Sequence, residues 1–161
     1  MDKRFGAGVP TKVIGNDVEI PLVGFGTFKI WPYEAQQAVE DALALGYRHI
    51  DTAQAYLNEA QVGAALAATS KADETFVTTK LRNGDHGYEA TLRSFEESRR
   101  ALGLDVIDLF LIHWPTPTLD NYVDTWRAFV HLREQGYVRA IGVSNFLIEH
   151  LDRIAAETGV V

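Results

Sequence analysis

A repeating pattern constrains the fold of this chain more than any other feature of its sequence. Short apolar or β-branched runs alternate with longer amphipathic runs, and the short runs begin at residues 22, 47, 75, 106 and 138. A strand, a crossover helix and their connections need roughly 30 residues. Successive starts are separated by 25, 28, 31 and 32 residues, so the spacing predicts a series of βα units with a parallel sheet.

The pattern also predicts the individual elements. Strands are expected at 22–27, 47–52, 75–80, 106–114 and 138–144. The intervening runs have apolar residues at helical spacing and predict helices at 32–45, 59–68, 89–102, 122–135 and 149–157. Four of these helices are followed closely by glycines suited to a left-handed cap, at positions 46, 103, 136 and 159.

The two ends of the chain carry further signals. Residues 12–14 and 18–20 flank the turn-forming segment Gly15-Asn16-Asp17, and this arrangement predicts a β-hairpin before the first βα unit. Val160 and Val161 would open a sixth strand.

Two α/β architectures accommodate five βα units. An open doubly wound parallel sheet fits a chain of 161 residues by length. A (β/α)8 TIM barrel needs about 250 residues, so the chain would then be only an N-terminal portion. Length and periodicity favour the open sheet, whereas the motifs described below favour the barrel. In either case we expect one domain over residues 1–161.

Composition excludes several functional classes. Fifteen basic and 22 acidic residues give a net charge of −7, which disfavours binding to nucleic acid. With no cysteine, the sequence has no disulfide, thiolate zinc site or cysteine nucleophile. The histidines show no metal-ligand spacing with carboxylates, so we expect no metal. The first residues lack an apolar signal region, and no apolar run is long enough to span a bilayer, so we expect a cytoplasmic protein.

Four residues of different chemistry fall at predicted strand ends. Reactive groups in parallel α/β folds lie at the carboxyl ends of the strands. Three of these ends contribute an acid, a phenol, an ammonium and an imidazole, namely Asp51, Tyr56, Lys80 and His113. Each has an ordinary explanation when taken alone, as a helix cap, a packing residue, an extended surface lysine or a buried histidine. The functional prediction therefore depends on the whole set.

Together these groups suit carbonyl reduction. A lysine ammonium beside a tyrosine stabilises the phenolate, and an aspartate holds the lysine charged and in place. A neighbouring histidine can donate a hydrogen bond to a carbonyl oxygen. Such a site would protonate an alkoxide as a hydride from a nicotinamide cofactor reaches the carbonyl carbon.

The ordered motifs resemble those of the aldo-keto reductase family. They comprise residues 46–59, Thr79-Lys80-Leu81, His113-Trp114-Pro115 and residues 142–146. Residues 111–117 and 120–123 make the chain most similar, within that family, to bacterial 2,5-diketo-D-gluconate reductases. The resemblance covers essentially the whole chain.

This resemblance implies a barrel enzyme that binds NADPH and reduces aldehydes or ketones, including keto-sugar acids. It implies a catalytic tetrad of Asp51, Tyr56, Lys80 and His113, with Tyr56 as the proton donor. The implied cofactor-binding residues are Gly26, Thr27, Asp51, Ser144 and Asn145. The implied substrate-binding residues are Phe28, Trp31, Tyr56, His113 and Trp114. The hairpin would close the N-terminal mouth of the barrel.

Two departures from the family pattern lead to further expectations. Arg82 stands where many relatives carry tryptophan, which predicts a more polar substrate pocket. The chain also stops where family members begin their sixth strand, so we expect a fragment of a longer enzyme, which would be monomeric when complete. Two alternatives remain open at this stage. One is a regulatory or structural member of the fold, and the other is an inert half barrel that self-associates through its open edges.

Overall fold

The computed structural model describes residues 3–6 and 8–160. Two strands, β1 (Thr11–Ile14) and β2 (Val18–Pro21), form an antiparallel hairpin. Five further strands form one parallel sheet: β3 (Phe25–Gly26), β4 (His49–Asp51), β5 (Phe76–Leu81), β6 (Ile107–Ile112) and β7 (Val138–Val143). The hairpin and the five-stranded sheet confirm the predicted order of elements.

Five α-helices alternate with the parallel strands. They are α1 (Pro32–Ala44), α2 (Glu59–Ala68), α3 (Tyr88–Leu102), α4 (Tyr122–Glu134) and α5 (Ile148–Thr158). The predicted helices match these bounds within one residue at either end. The first parallel strand is much shorter than predicted, because residues 22–24 are exposed and lie outside the sheet. Among the described residues, no helix is long and apolar enough to cross a membrane.

The order of the strands decides between the two predicted architectures. Each parallel strand pairs with the next one in sequence, in the order β3-β4-β5-β6-β7. Neighbouring helices also pack against each other in series, from α1 with α2 through α4 with α5. A doubly wound sheet reverses its winding direction and places its first strand in the interior. The alternative of an open doubly wound sheet is therefore wrong, and the arrangement is a run of consecutive barrel units.

The main core lies between the helices and one face of the sheet. Phe110 of β6 is fully buried. Its ring stacks on that of Phe129 with the centroids 4.4 Å apart, and its centroid lies 5.2 Å from that of the Phe95 ring. Helices α2 and α3 approach so closely at Gly63 that a Cβ atom there would lie 2.4 Å from the carbonyl oxygen of Ala101. These contacts bind the helices to the outer face of the sheet.

The N-terminal segment packs against the amino-terminal ends of two strands. The Phe5 ring lies 6.3 Å from that of Phe76, at the start of β5. Arg4 pairs with Asp108 near the start of β6 at 2.7 Å. The turn of the hairpin, Gly15–Asp17, contacts β7. These contacts support the expected closure of the barrel's amino-terminal side.

The predicted sixth strand stays a prediction. Val160 lies outside the helices and strands, and Val161 lies outside the described residues.

Candidate active site

Alternation along β4 and β5 places polar side chains on the face opposite the helices. Ile50 and Leu81 are fully buried in the core, whereas Asp51 and Lys80 face the other way. Asp51 pairs in register with Thr78, and Lys80 lies two residues further along the same strand. Because side chains alternate along a strand, Thr78 and Lys80 share the face that carries Asp51.

Lys80 and Asp51 form a close ion pair on this face. The Lys80 ammonium lies 2.5 Å from Asp51 Oδ1 and donates a second hydrogen bond to the Thr52 carbonyl at 3.0 Å. Only 9% of the Lys80 side chain is exposed, so few solvent molecules compete for the ammonium. The pair therefore holds Lys80 at one position at the strand end.

Tyr56 completes the contact with Lys80. It ends a short 3-10 turn, Gln54–Tyr56, that follows β4. Its hydroxyl oxygen lies 3.5 Å from the Lys80 ammonium, which is at the outer limit of a hydrogen bond. The same ammonium lies 5.1 Å from the centre of the Tyr56 ring. Lys80 is therefore placed to stabilise negative charge on the Tyr56 oxygen.

His113 approaches Tyr56 from the end of β6. The two rings meet nearly edge to face, with centroids 5.7 Å apart and planes at 77°. Burial lowers the pKa of His113 below its ordinary value, and the positive charge of Lys80 lowers this pKa further, against the opposing effect of Asp51. The lowered pKa favours the neutral imidazole, which carries one ring N–H donor. All four residues of the predicted tetrad meet at one site.

Gly26 and Thr27, the predicted cofactor residues at the start of the sheet, differ in their exposure to solvent. Gly26 is exposed and pairs in register with Asp51. Thr27 is fully buried, and its hydroxyl lies within hydrogen-bond distance of two acceptors, the Asp51 carbonyl and Asn58 Oδ1, each at 3.2 Å. The Thr27 side chain is thus part of the internal packing.

Ser144 and Asn145 follow β7 and lie beside His113. The Asn145 amide nitrogen donates to the His113 carbonyl at 2.9 Å and to Ser144 Oγ at 3.0 Å. Asn145 has a φ of 63°, a left-handed conformation that asparagine adopts more readily than most residues. The pair presents a hydroxyl and an amide next to the tetrad, and groups of this chemistry can bind a carboxamide.

A cleft of about 790 Å³ opens beside Tyr56. Two predicted substrate residues, Phe28 and Trp31, line it, and the Phe28 ring lies 5.1 Å from that of Tyr56. Trp114 is half exposed and is not one of the described residues that line this cleft. Lys29, which the sequence analysis did not single out, contributes a positive charge to the lining.

Arg82 is not among the described residues that line this cleft. Its guanidinium lies 2.6 Å from Asp85 and 3.2 Å from Glu97 on α3. These carboxylates hold it on the helix side of the strand end, and it is not among the cleft-lining residues. The expectation of a more polar substrate pocket because of Arg82 stays a prediction.

Asn58 is a buried residue of this site that the sequence analysis missed. Its Oδ1 accepts hydrogen bonds from the Thr27 and Thr52 hydroxyls, and its Nδ2 donates to the Thr27 and Ile30 carbonyls. Asn58 precedes α2, where its residue type indicates a helix cap, but it makes no side-chain cap bond. It instead ties the loop after β3 to the segment that follows Tyr56.

Comparisons with known proteins agree with this fold. The sequence profile of the aldo/keto reductase family matches residues 22–161. An aldo-keto reductase of Mycolicibacterium smegmatis is 48% identical over 153 residues, covering 94% of this chain and 56% of that protein. Methylglyoxal reductase DkgA of Salmonella typhimurium is 47% identical over 142 residues, covering 88% of this chain and 51% of that protein.

Solved structures show the same similarity. A variant of Gox0644 in complex with NADPH superposes with a TM-score of 0.90 at 45% identity, covering 94% of this chain and 55% of that one. A protein provisionally named 2,5-diketo-D-gluconic acid reductase B gives a TM-score of 0.80 at 40% identity, covering 88% of this chain and 50% of that one.

The consecutive order of the strands thus defines a barrel-type α/β protein. With the family profile matching most of its length, the chain belongs to the aldo-keto reductase family. It spans about half the length of the relatives it matches.

Proposed function

We propose that this chain supplies the catalytic residues of an NADPH-dependent carbonyl reductase that converts aldehydes or ketones to alcohols. The observation that carries the proposal is the position of the Lys80 ammonium, which contacts Asp51 at 2.5 Å and Tyr56 at 3.5 Å. A purely structural role would not require a buried lysine beside a tyrosine hydroxyl, and this favours the enzyme over the regulatory or structural alternative.

The four residues have distinct roles in this reaction. Tyr56 donates its phenolic proton to the oxygen of the substrate carbonyl, and Lys80 stabilises the phenolate that remains. Asp51 keeps Lys80 charged and in position. Neutral His113 donates a ring hydrogen bond to the same carbonyl oxygen and so orients the substrate.

The residues around the tetrad fit a nicotinamide cofactor. Ser144 and Asn145 offer a hydroxyl and an amide beside His113, and these would hold the carboxamide. Gly26 and Asp51 would line the cofactor cleft, and Thr27, which is fully buried, would support this lining from behind. When bound, NADPH supplies the hydride that reduces the carbonyl carbon and is released as NADP⁺.

The cleft beside Tyr56 indicates a small carbonyl substrate. Phe28 and Trp31 provide apolar walls, and Lys29 adds a cation that would attract an acidic substrate. One relative is a methylglyoxal reductase, and another carries the name of a 2,5-diketo-D-gluconic acid reductase. We therefore propose small dicarbonyl compounds and keto-sugar acids as the first substrates to examine.

The direct test is NADPH oxidation with a panel of carbonyl compounds. The panel contains methylglyoxal, 2,5-diketo-D-gluconate, an uncharged aldehyde and an uncharged ketone. Carbonyl-dependent oxidation of NADPH is expected for at least one member. Binding of NADPH without turnover of any member would contradict the reductase and support a regulatory role.

A further inference from the structure

Gln54 is a buried side chain that has no role in the mechanism proposed above. It begins the turn that carries Tyr56, and only 6% of its surface is exposed. A buried amide is costly unless its donors and acceptor are hydrogen-bonded. The partners of Gln54 therefore show what this residue holds together.

The amide oxygen of Gln54 joins the two segments that carry the catalytic pair. Gln54 Oε1 accepts the backbone N–H of Arg82 at 2.9 Å. Arg82 comes two residues after Lys80, and Gln54 comes two residues before Tyr56. A single hydrogen bond thus links the turn with the phenol to the strand end with the ammonium.

The amide nitrogen of Gln54 anchors the same turn to helix α3. Nε2 donates to the Ser94 carbonyl at 2.7 Å and lies 2.8 Å from the hydroxyls of both Ser94 and Ser98. The Ser94 hydroxyl, which has one proton to donate, lies 3.0 Å from Gln54 Oε1 and 2.7 Å from Asp85 Oδ2. Both polar atoms of the amide are satisfied, and a fully satisfied buried network favours one arrangement.

A second branch of this network reaches the other side of Lys80. The Ser98 hydroxyl donates to Glu59 Oε2 at 3.2 Å, and the Thr79 hydroxyl donates to Glu59 Oε1 at 2.5 Å. Thr79 immediately precedes Lys80. Helix α3 is therefore connected through Glu59 to Thr79, the residue before Lys80. Through Gln54 it is also connected to Arg82, two residues after Lys80.

We propose that Gln54 is a positioning residue that sets the separation between the Tyr56 hydroxyl and the Lys80 ammonium. This inference rests on the proposed reductase function. The separation is 3.5 Å, so a small displacement of the turn breaks the contact. Displacements of about 1 Å can cost about a hundredfold in rate even when the altered residue does not touch the reacting atoms.

The test compares two Gln54 variants with a remote control. Gln54→Met has a similar size and removes all the hydrogen bonds of the amide, whereas Gln54→Glu retains an oxygen that accepts from Arg82. The control is Thr75→Val, which removes a buried hydroxyl bond to the Lys71 carbonyl beside the opposite end of β5. The unfolding temperature of each variant is measured, so that loss of stability is separated from loss of positioning.

Three readouts are taken for each variant. They are kcat and KM for carbonyl reduction, the solvent deuterium isotope effect on kcat, and the NMR cross-relaxation between the Tyr56 ring and the Lys80 side chain. For Gln54→Met we expect a fall in kcat of about ten- to a hundredfold, with KM nearly unchanged. The isotope effect should rise, because proton transfer becomes slower, and the cross-peak should weaken. Gln54→Glu should recover much of kcat, and Thr75→Val should resemble the parent protein.

The readouts separate failure of this inference from failure of the proposed function. A parent protein without turnover contradicts the reductase, and the cross-peak then still reports whether Gln54 sets the Tyr56–Lys80 contact. The inference is overturned if Gln54→Met keeps the cross-peak and, in an active protein, keeps kcat within twofold of Thr75→Val. It is also overturned if kcat across the variants merely follows their unfolding temperatures.

Discussion

The ammonium nitrogen of Lys80 lies 3.5 Å from the hydroxyl oxygen of Tyr56. The two residues come from different βα units, and the turn after β4 and the carboxyl end of β5 bring them together. Because Asp51 holds the other side of the ammonium at 2.5 Å, the positive charge is fixed where a phenolate would form. The fold thus places the Lys80 ammonium where it can stabilise negative charge on the Tyr56 oxygen.

Removing the ammonium should abolish most of the activity. Lys80→Met keeps the length of the side chain but removes the charge that stabilises the phenolate. We expect kcat for carbonyl reduction to fall by about 10²- to 10⁴-fold, the usual contribution of general acid–base catalysis. Steady-state NADPH oxidation measures the effect, with Lys71→Met as a control because Lys71 pairs with Glu74 far from the site. A Lys80→Met enzyme within a fewfold of the parent would remove Lys80 from the mechanism.

The buried carboxyl of Glu59 should destabilise the fold when it is ionised. Burial raises the pKa of Glu59 above its ordinary value, although hydrogen bonds from Thr79 and Ser98 oppose this effect. The folded protein therefore binds this proton more tightly than the unfolded chain, and its contribution to stability is lost as pH rises through the folded-state pKa.

Glu59→Gln should consequently be more stable than the parent protein at about pH 8, and this advantage should shrink toward about pH 4. Urea unfolding at both pH values measures the difference, with the exposed Glu134→Gln as the control. An advantage that is the same at both pH values would show that it does not arise from ionisation.

Two histidines with lowered pKa values should make the protein sensitive to mild acid. Burial is the largest cause of the lowered pKa of both His49 and His86. The unfolded chain therefore binds protons more readily at these positions, and stability falls as pH drops through the unfolded-state pKa of about 6.5. In urea unfolding, His86→Gln should lose less stability than the parent between about pH 8 and about pH 5.5. Equal losses in the two proteins would exclude His86 as a source of this sensitivity.

Close packing of α2 against α3 should make Gly63 intolerant of a side chain. A Cβ at Gly63 would lie 2.4 Å from the Ala101 carbonyl oxygen and 2.8 Å from that of Leu102. Alanine favours a helix over glycine by about 1 kcal/mol, but the clash requires the two helices to separate. We expect Gly63→Ala to lose about 1–3 kcal/mol of unfolding free energy. Gly84→Ala is the matched control, because a Cβ there meets nothing within 4 Å. Equal stabilities of the two variants would contradict the predicted helix contact.

Periodicity predicted the succession of elements well, because the helices bury apolar residues at helical spacing and the central strand β5 is buried along its full length. The bounds of α2 agree with the prediction at both ends. The length of β3 was overestimated, because Leu22 and Val23 are apolar but remain exposed, at 59% and 60%. Apolar character alone does not show whether a residue has a neighbouring strand to pair with. The choice between an open sheet and a barrel was likewise beyond periodicity and needed the strand order.

The candidate site was predictable to the extent that its residues lie at strand ends. Asp51, Lys80 and His113 were found in this way, and Tyr56 from the turn that follows. Gln54 and Asn58 escaped because their importance comes from partners distant in sequence. The hydroxyl of Thr27, a cofactor residue implied by the family resemblance, bonds to Asn58, and the cofactor role of Thr27 stays a prediction.

The central claim is that Tyr56 donates the proton in carbonyl reduction, and Tyr56→Phe tests it most directly. The substitution removes one oxygen and retains the ring that packs against Phe28 and His113. NADPH oxidation with an accepted carbonyl substrate is measured alongside NADPH binding by fluorescence quenching. The account predicts that turnover falls by about 10³-fold or more while binding is preserved. Turnover close to that of the parent protein would contradict it.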